Sequence, residues 1–167
     1  MKPLGHSSGR PLLAGLVCLG AALAGAQDVQ LYAANGQSTG RIIQHEKSAT
    51  IYGPNGQSAG RTVQSGNSIS FYEAQGASAG RAQITRNITQ YYAANGQTAG
   101  RSVQSGNTTA YYAANDQSAG KAVESSSGIT FYGANGQSMG RATPAGNPVL
   151  YGPLVVLKLP APAKKAK

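Results

Sequence analysis

The sequence has no tryptophan, a single cysteine and only 5 acidic residues among 167. Because Cys18 lies inside an N-terminal apolar stretch, we expect no disulfide framework in the rest of the chain. Charged residues make up 11% of the sequence and 23 residues are glycine, which is too polar and too glycine-rich for a helical bundle. The chain is long enough for one small domain. Many candidate core residues are small, so its stability must depend largely on repeated backbone pairing.

The scarcity of titratable side chains argues against an enzyme. His45 is the only histidine after the N-terminal stretch, and the acidic residues do not recur at any one position of the pattern described below. General acid–base catalysis needs two such groups held together. The adjacent pair His45 and Glu46 lacks a third ligand and is more typical of a solvated link than of a metal site. We therefore expect a non-enzymatic protein with no cofactor and no metal.

The N-terminus has the features of a secretory signal. Two basic residues precede an apolar stretch at residues 12–24, and small residues ending at Ala26 suit a signal peptidase. Thirteen apolar residues reach about 20 Å as a helix, too short for about 30 Å of hydrocarbon. We expect residues 1–26 to be removed and the protein to be exported, to the periplasm or outside the cell. The alternatives are an uncleaved anchor and a lipid on Cys18, whose neighbours fit a lipidation signal poorly.

A repeat of 20 residues dominates the rest of the sequence. Six copies are complete, and Tyr151 follows one residue short of the register. A fixed period of this size indicates a solenoid, a propeller-like ring or an array of units that cannot bury their apolar faces alone. The recurring residues are Tyr32, Tyr52, Tyr72, Tyr92, Tyr112 and Tyr132; Gly40, Gly60, Gly80, Gly100, Gly120 and Gly140; and Arg41, Arg61, Arg81, Arg101, Lys121 and Arg141.

Each repeat is predicted to be a β-hairpin. Most copies carry an Asn-Gly pair, as at Asn135 and Gly136, between two short alternating runs. This pair favours a type I′ turn, in which both central residues have positive φ. Polar links such as residues 64–67 supply a second reversal. The predicted fold is all-β: six to seven tandem antiparallel hairpins, with twelve or more short strands, that form a shallow closed barrel-like ring or, alternatively, an open hairpin solenoid.

The third repeat fixes the expected register. With the turn centred on Gln75 and Gly76, large apolar residues share one face with the recurring glycine, and this is the predicted core face. We expect an aromatic side chain to lie flat across each strand glycine, which is therefore assigned a structural role. The predicted cross-strand pairs are Phe71 with Gly80, Tyr72 with Ala79, Ser70 with Arg81, and Ile69 with Ala82. The residues predicted to occupy the same core face as Phe71 and Ile69 in other repeats are Leu31 with Val29, Ile51 with Ala49, and Phe131 with Ile129.

The opposite face carries the recurring tyrosines and cations. Tyr72 and Arg81 occupy diagonal positions of one hairpin, close enough for the guanidinium to stack on the ring. Two interpretations remain open: a ring of ligand contacts, or packing of one hairpin against the next. The candidate ligand-contact ring is Tyr32, Tyr52, Tyr72, Tyr92, Tyr112, Tyr132, Arg41, Arg61, Arg81, Arg101, Lys121 and Arg141.

The net charge indicates anionic partners. Without Lys2 and Arg10, the 14 basic residues fall to 12 against 5 acidic ones, a formal charge of +7. For an exported protein, we expect an anionic envelope polymer or lipid headgroups, attracted by a salt-screened field, and no specific nucleic acid. The predicted function is a structural or binding module at the cell envelope. The alternatives are an accessory subunit of an enzyme or inhibitor, acting through residues 45–47 or 152–159, and self-association through edge strands.

The repeat pattern stops after Tyr151. Residues 154–159 form the most apolar run after the signal and are predicted to be a capping strand that pairs with the first or last unit. Residues 160–167 are predicted to be a solvated basic tail. The single repeat domain therefore spans residues 27–159.

The unit from Phe131 to Arg141 resembles the repeat of small secreted bacterial proteins described as β-flowers, shallow symmetric barrels whose hairpins radiate like petals. The resemblance covers residues 29–151. It implies a closed hairpin ring and carries no activity. A weaker resemblance connects the unit to the tyrosine-aspartate repeats of Rhs-type toxin shells, although Ala33 and its equivalents stand where those repeats have aspartate. Choline-binding repeats have a similar length but build their cation cage from tryptophan, which is absent here.

Overall fold

The computed structural model describes residues 26–146, in which twelve β-strands and no helix are formed. Residues 1–25 of the predicted signal peptide, Tyr151, the predicted capping strand 154–159 and the predicted tail 160–167 lie outside the described residues. The strands are β1 (Gln27–Ala33), β2 (Ser38–His45), β3 (Ser48–Tyr52), β4 (Ser58–Ser65), β5 (Ser68–Glu73), β6 (Ser78–Thr85), β7 (Ile88–Ala93), β8 (Thr98–Ser105), β9 (Thr108–Ala113), β10 (Ser118–Ser125), β11 (Gly128–Gly133) and β12 (Ser138–Thr143).

The twelve strands form one closed antiparallel barrel in which every strand pairs with its neighbours in sequence. The barrel closes where β1 pairs with β12, with Leu31 opposite Ala142 and Tyr32 opposite Arg141. Closure leaves no unpaired strand edge among the described strands. The predicted all-β ring of tandem hairpins is confirmed, and the open solenoid is excluded.

The hairpin tips contain a different turn from the one predicted. In the first hairpin the amide of Gly36 donates to the carbonyl of Ala33 at 2.9 Å, and the amide of Ala33 donates to the carbonyl of Gln37 at 2.9 Å. Gly36 has φ +83°, whereas Asn35 is not among the residues with positive φ. This is a three-residue loop, a type I turn followed by a left-handed residue, so the type I′ prediction is wrong. Asp116, at the same position as Gly36, also adopts the left-handed conformation, with φ 61°.

The links at the other rim are two-residue turns that also join neighbouring hairpins. Between β4 and β5, Ser65 pairs with Ser68, which leaves Gly66 and Asn67 as the turn. The carbonyl of Asn67 accepts a hydrogen bond of 2.7 Å from the amide of Ile84 in the next hairpin. The links therefore contribute to pairing beyond their own strands. We call this end of the barrel the link rim.

The register within a hairpin matches the prediction except at one position. Phe71 lies opposite Gly80, Ser70 opposite Arg81, and Ile69 opposite Ala82, as predicted. Tyr72, however, pairs with Ser78 and not with Ala79, because the register shifts between Phe71 and Tyr72. Ala79 is left without a partner and forms a β-bulge, which bends the strand and increases its twist. Every hairpin from β1–β2 to β11–β12 has this shift.

The recurring strand glycine has a different physical reason from the one predicted. Gly80 has φ +138°, a backbone conformation that L-residues with a side chain rarely adopt. The space that its Cβ would occupy is filled by the carbonyl oxygen of Tyr92 in the next hairpin. An aromatic side chain across the glycine is therefore not the cause of its recurrence. The glycine allows the backbone of the neighbouring hairpin to come close.

Rows of inward side chains form the core. Ile69, Phe71 and Ala82, predicted for the core face, are at most 3% exposed, whereas Leu31 and Ile51 are only partly buried. Large residues face small ones across the hairpin junctions, and this pairing balances volume around the ring. The facing pairs are Tyr91 with Ala82, Tyr111 with Ser102, Phe131 with Ala122, and Leu31 with Ala142.

Tyr91 is the titratable group most affected by burial among the described residues. Its hydroxyl lies 2.9 Å from Oγ of Ser102, inside the core. Burial raises the pKa of Tyr91 to about 12, and hydrogen bonds to Ser102 and Thr89 partly offset this effect. The native state therefore favours the neutral phenol.

Replacement of Gly80 by alanine should destabilise the barrel by about 3 kcal/mol, because it adds backbone strain and a clash with the Tyr92 carbonyl. Urea denaturation measures the loss. Gly53→Ala is the matched control, since Gly53 does not have a positive φ and alanine occupies the equivalent position in Ala33 and Ala93. Equal stability of the Gly80→Ala and Gly53→Ala proteins would contradict the assigned close approach.

Stability should fall at alkaline pH because of Tyr91. An unfolded tyrosine ionises near pH 10, whereas the folded protein retains this proton up to a pKa of about 12. The contribution of Tyr91 to the free energy of unfolding is complete below pH 10. It is lost between pH 10 and 12, with a slope of up to about 1.4 kcal/mol per pH unit. Urea denaturation between pH 8 and pH 11.5 should show a shallower decline for Tyr91→Phe than for the unmodified chain. Identical slopes would show that the phenol is not buried.

Candidate functional site: a belt of tyrosines and cations

The candidate ligand-contact residues lie together on the outer wall of the barrel. Side chains alternate between the two faces of a strand. Tyr92 follows the buried Tyr91, and Arg81 stands between the buried residues Gly80 and Ala82, so both side chains point outward. The repeat places the equivalent residues at the same height on every hairpin. We call this set the belt: Tyr32, Tyr52, Tyr72, Tyr92, Tyr112, Tyr132, Arg41, Arg61, Arg81, Arg101, Lys121 and Arg141.

Each cation of the belt stacks on the tyrosine of the next hairpin and not on that of its own. Arg81 lies directly opposite Tyr92 at the junction between β6 and β7, whereas within its own hairpin it faces Ser70. The predicted stacking of Arg81 on Tyr72 is therefore wrong, and the belt pairs connect one hairpin to the next. The distances from cation to ring centroid are 5.2 Å for Arg41 and Tyr52, 4.9 Å for Arg61 and Tyr72, 5.1 Å for Arg81 and Tyr92, 4.5 Å for Arg101 and Tyr112, 5.6 Å for Lys121 and Tyr132, and 5.1 Å for Arg141 and Tyr32.

The last of these pairs closes the belt across the seam between β12 and β1. Arg141 stacks on Tyr32 in the same way as the other cations stack on their partners. An exposed cation–π pair contributes about 0.5–1 kcal/mol. The six pairs therefore connect every hairpin to its neighbour, on the same strands that carry the close approach at the glycine.

Stacking leaves the belt cations accessible. All six are exposed except Arg101, which is half-buried, and the belt tyrosines are half-buried. Arg101 donates a hydrogen bond of 2.9 Å from Nε to Asp116, and Arg41 lies 3.6 Å from Asp28. Within residues 26–146 the remaining four belt cations have no carboxylate partner. A guanidinium that stacks by its face keeps its edge N–H donors available for an anion.

A cleft of about 230 Å³ beside the seam was not anticipated from the sequence. Its lining combines the belt pair Tyr32 and Arg141 with hydroxyl side chains. Two lining residues depart from the repeat: Gly128 stands where other copies have residues such as Ser68, and Ser127 stands where three copies have asparagine, as at Asn67. These departures are the sequence signals for the cleft. Its hydroxyl residues are Ser125, Ser127, Thr130 and Thr143.

The link at residues 45–47 was the alternative functional surface. His45 ends β2, and Glu46 and Lys47 form the link that follows; all three are exposed. In the described part of the chain, no group of three or more histidine, cysteine or acidic side chains is placed to hold a metal ion. Nor does any helix between residues 26 and 146 have the length and apolar character needed to cross a membrane.

Comparisons with known proteins add no argument about the fold or the function of this chain. No protein-family model and no curated protein sequence matches the chain. A solved structure of a protein from Arabidopsis thaliana is similar over 81% of this chain and 89% of that chain, with 10% sequence identity and a TM-score of 0.49. A likeness at this level carries no functional information. The class defined by the fold and the belt is an all-β barrel of repeated hairpins.

Proposed function

We propose that this protein is an exported, non-enzymatic binding module of the cell envelope, related to the β-flower proteins, that binds an anionic polymer through its belt. The observation that carries the proposal is the belt itself: six equivalent cation–tyrosine pairs around the outer wall. Four of its cations have no carboxylate partner in the described part of the chain. Their positive charge is therefore available to a ligand.

The geometry of the belt favours a polymer over a membrane surface. Successive pairs are two strands apart, which corresponds to about 10 Å. Because the belt runs around the barrel wall, a flat bilayer reaches only one or two pairs at a time. A flexible polyanion follows the wall and engages several pairs. Weak, equivalent contacts then combine through their high effective concentration.

The chemistry of the belt favours oxyanions. Arginine presents its N–H donors in a planar fork that matches carboxylate, sulfate and phosphate groups. Stacking on tyrosine restricts the side chain before a ligand arrives, and this restriction lowers the entropic cost of binding. The seam cleft adds hydroxyl donors beside Arg141. The ligand class supported best is a linear polymer with regularly spaced oxyanions.

Replacement of Arg61, Arg81 and Lys121 together by glutamine should weaken binding to dextran sulfate about tenfold or more and lower the slope of log Kd against log salt by about 2–3. Isothermal titration at several salt concentrations measures both quantities. Neutral dextran should not bind, and anionic phosphatidylglycerol vesicles should bind more weakly per charge than dextran sulfate.

A charge-matched control is Lys164, Lys165 and Lys167 replaced together by glutamine, which removes the same charge from the tail. This variant should keep most of the affinity. Circular dichroism and urea denaturation check that each variant is folded. Equal losses in the two triple variants would show that net charge, and not the belt, governs binding. Tighter binding to vesicles than to the polymer would favour lipid headgroups as the ligand.

A further inference from the structure

The barrel is wider than its own inward side chains fill. Ile42 lies opposite Ile51, and Ile51 lies opposite Gly60. The residue equivalent to Ile42 in the next repeat is Thr62, so the register moves by two residues across one hairpin. Twelve strands with this stagger give a backbone radius of about 11 Å. Eight-stranded barrels are just wide enough for side chains to fill, and wider barrels leave an internal space. This interior space of the barrel is called the lumen below.

Small residues line much of the lumen and yet are shielded from solvent. Ala49, Ala82 and Ala142 are 0% exposed, and Ser102 and Ala122 are 2% exposed. An alanine contributes one methyl group, which reaches only a small part of the way from the wall to the axis. A wall of such residues around an empty lumen would face open space. The burial of these small residues therefore requires apolar groups that lie nearer to the axis and cover them.

The chain that follows β12 turns toward the interior at the link rim. Ala145 is half-buried and packs against the core. Its carbonyl accepts a hydrogen bond of 2.8 Å from Nε2 of Gln27, at the start of β1. The described chain thus ends beside the opening of the lumen, on its inner side.

We propose that residues 154–159, Leu-Val-Val-Leu-Lys-Leu, enter the lumen from the link rim and fill it. Residues 147–153 span up to about 25 Å when extended, enough to reach the axis from Gly146. The segment is the most apolar run after the predicted signal. Both edges of β1 and of β12 are already paired, so the segment has no described strand edge to extend. The other apolar run, residues 12–24, is predicted to be removed with the signal.

A single tryptophan tests the position of the segment, because the chain contains no other. Val156→Trp should emit at shorter wavelength than Ala163→Trp, the control in the tail, and should be quenched by acrylamide at least threefold less. The variant keeps the whole chain, so the readout does not depend on the folding of a truncated protein. Solvent-like emission and full quenching of the tryptophan at position 156 would overturn the proposal.

A pair of deletions tests whether the segment fills the lumen. Deletion of residues 147–167 should expose the apolar wall and raise the binding of the dye ANS severalfold, whereas deletion of residues 160–167 alone should leave it unchanged. Equal dye binding by the two deletions would overturn the proposal. So would one equivalent of lipid recovered by solvent extraction of the full chain, since the lumen would then hold a different occupant.

Discussion

The structure depends on the close approach of each hairpin to the next at the recurring glycine. The carbonyl of a belt tyrosine lies where the Cβ of the recurring glycine would be. The glycine also has a positive φ, which residues with a side chain rarely adopt. The cation that follows the glycine then lies directly opposite that same tyrosine and stacks on its ring. One Gly-Arg step therefore provides both the backbone fit and the side-chain contact of a junction. Because the step recurs five times as Gly-Arg and once as Gly-Lys, at Gly120 and Lys121, the junctions are equivalent and the sheet curves until it closes.

The same junctions explain why the belt serves both structure and the proposed function. Stacking uses the face of the guanidinium and leaves its edge exposed. Hairpin packing and anion binding are therefore compatible at one residue. The interior follows a different rule, in which large and small residues alternate unevenly around the ring: Tyr91 faces Ala82, whereas Ile51 faces Ile42. This uneven wall balances side-chain volume only locally.

Much of the fold could be predicted from the sequence because its information is local and repeated. The period, the two turns per repeat and the core face of Ile69 and Phe71 all follow from short-range patterns. The bulge at Ala79 could not be predicted, since alternation alone does not show a single displaced residue. The turn type was missed because Asn-Gly fits both type I′ and the type I turn that ends in a left-handed glycine.

The partner of each belt cation could not be predicted for a different reason. The register between hairpins depends on the links and on closure, so a pattern within one repeat could not show that Arg81 meets Tyr92. The predicted candidate-site residues do share one surface. The lining of the seam cleft includes residues that depart from the repeat, such as Gly128, and a search for recurrence overlooks them.

The most direct test of the close approach is the seam, where the first strand must meet the last. Gln30 and Thr143 lie opposite each other on β1 and β12. In a chain that starts after the predicted signal and has no other cysteine, a Gln30→Cys, Thr143→Cys pair should form an intramolecular disulfide on mild oxidation, in a folded monomer. Free thiols, or a disulfide found only between molecules, would contradict a ring closed by β1 and β12.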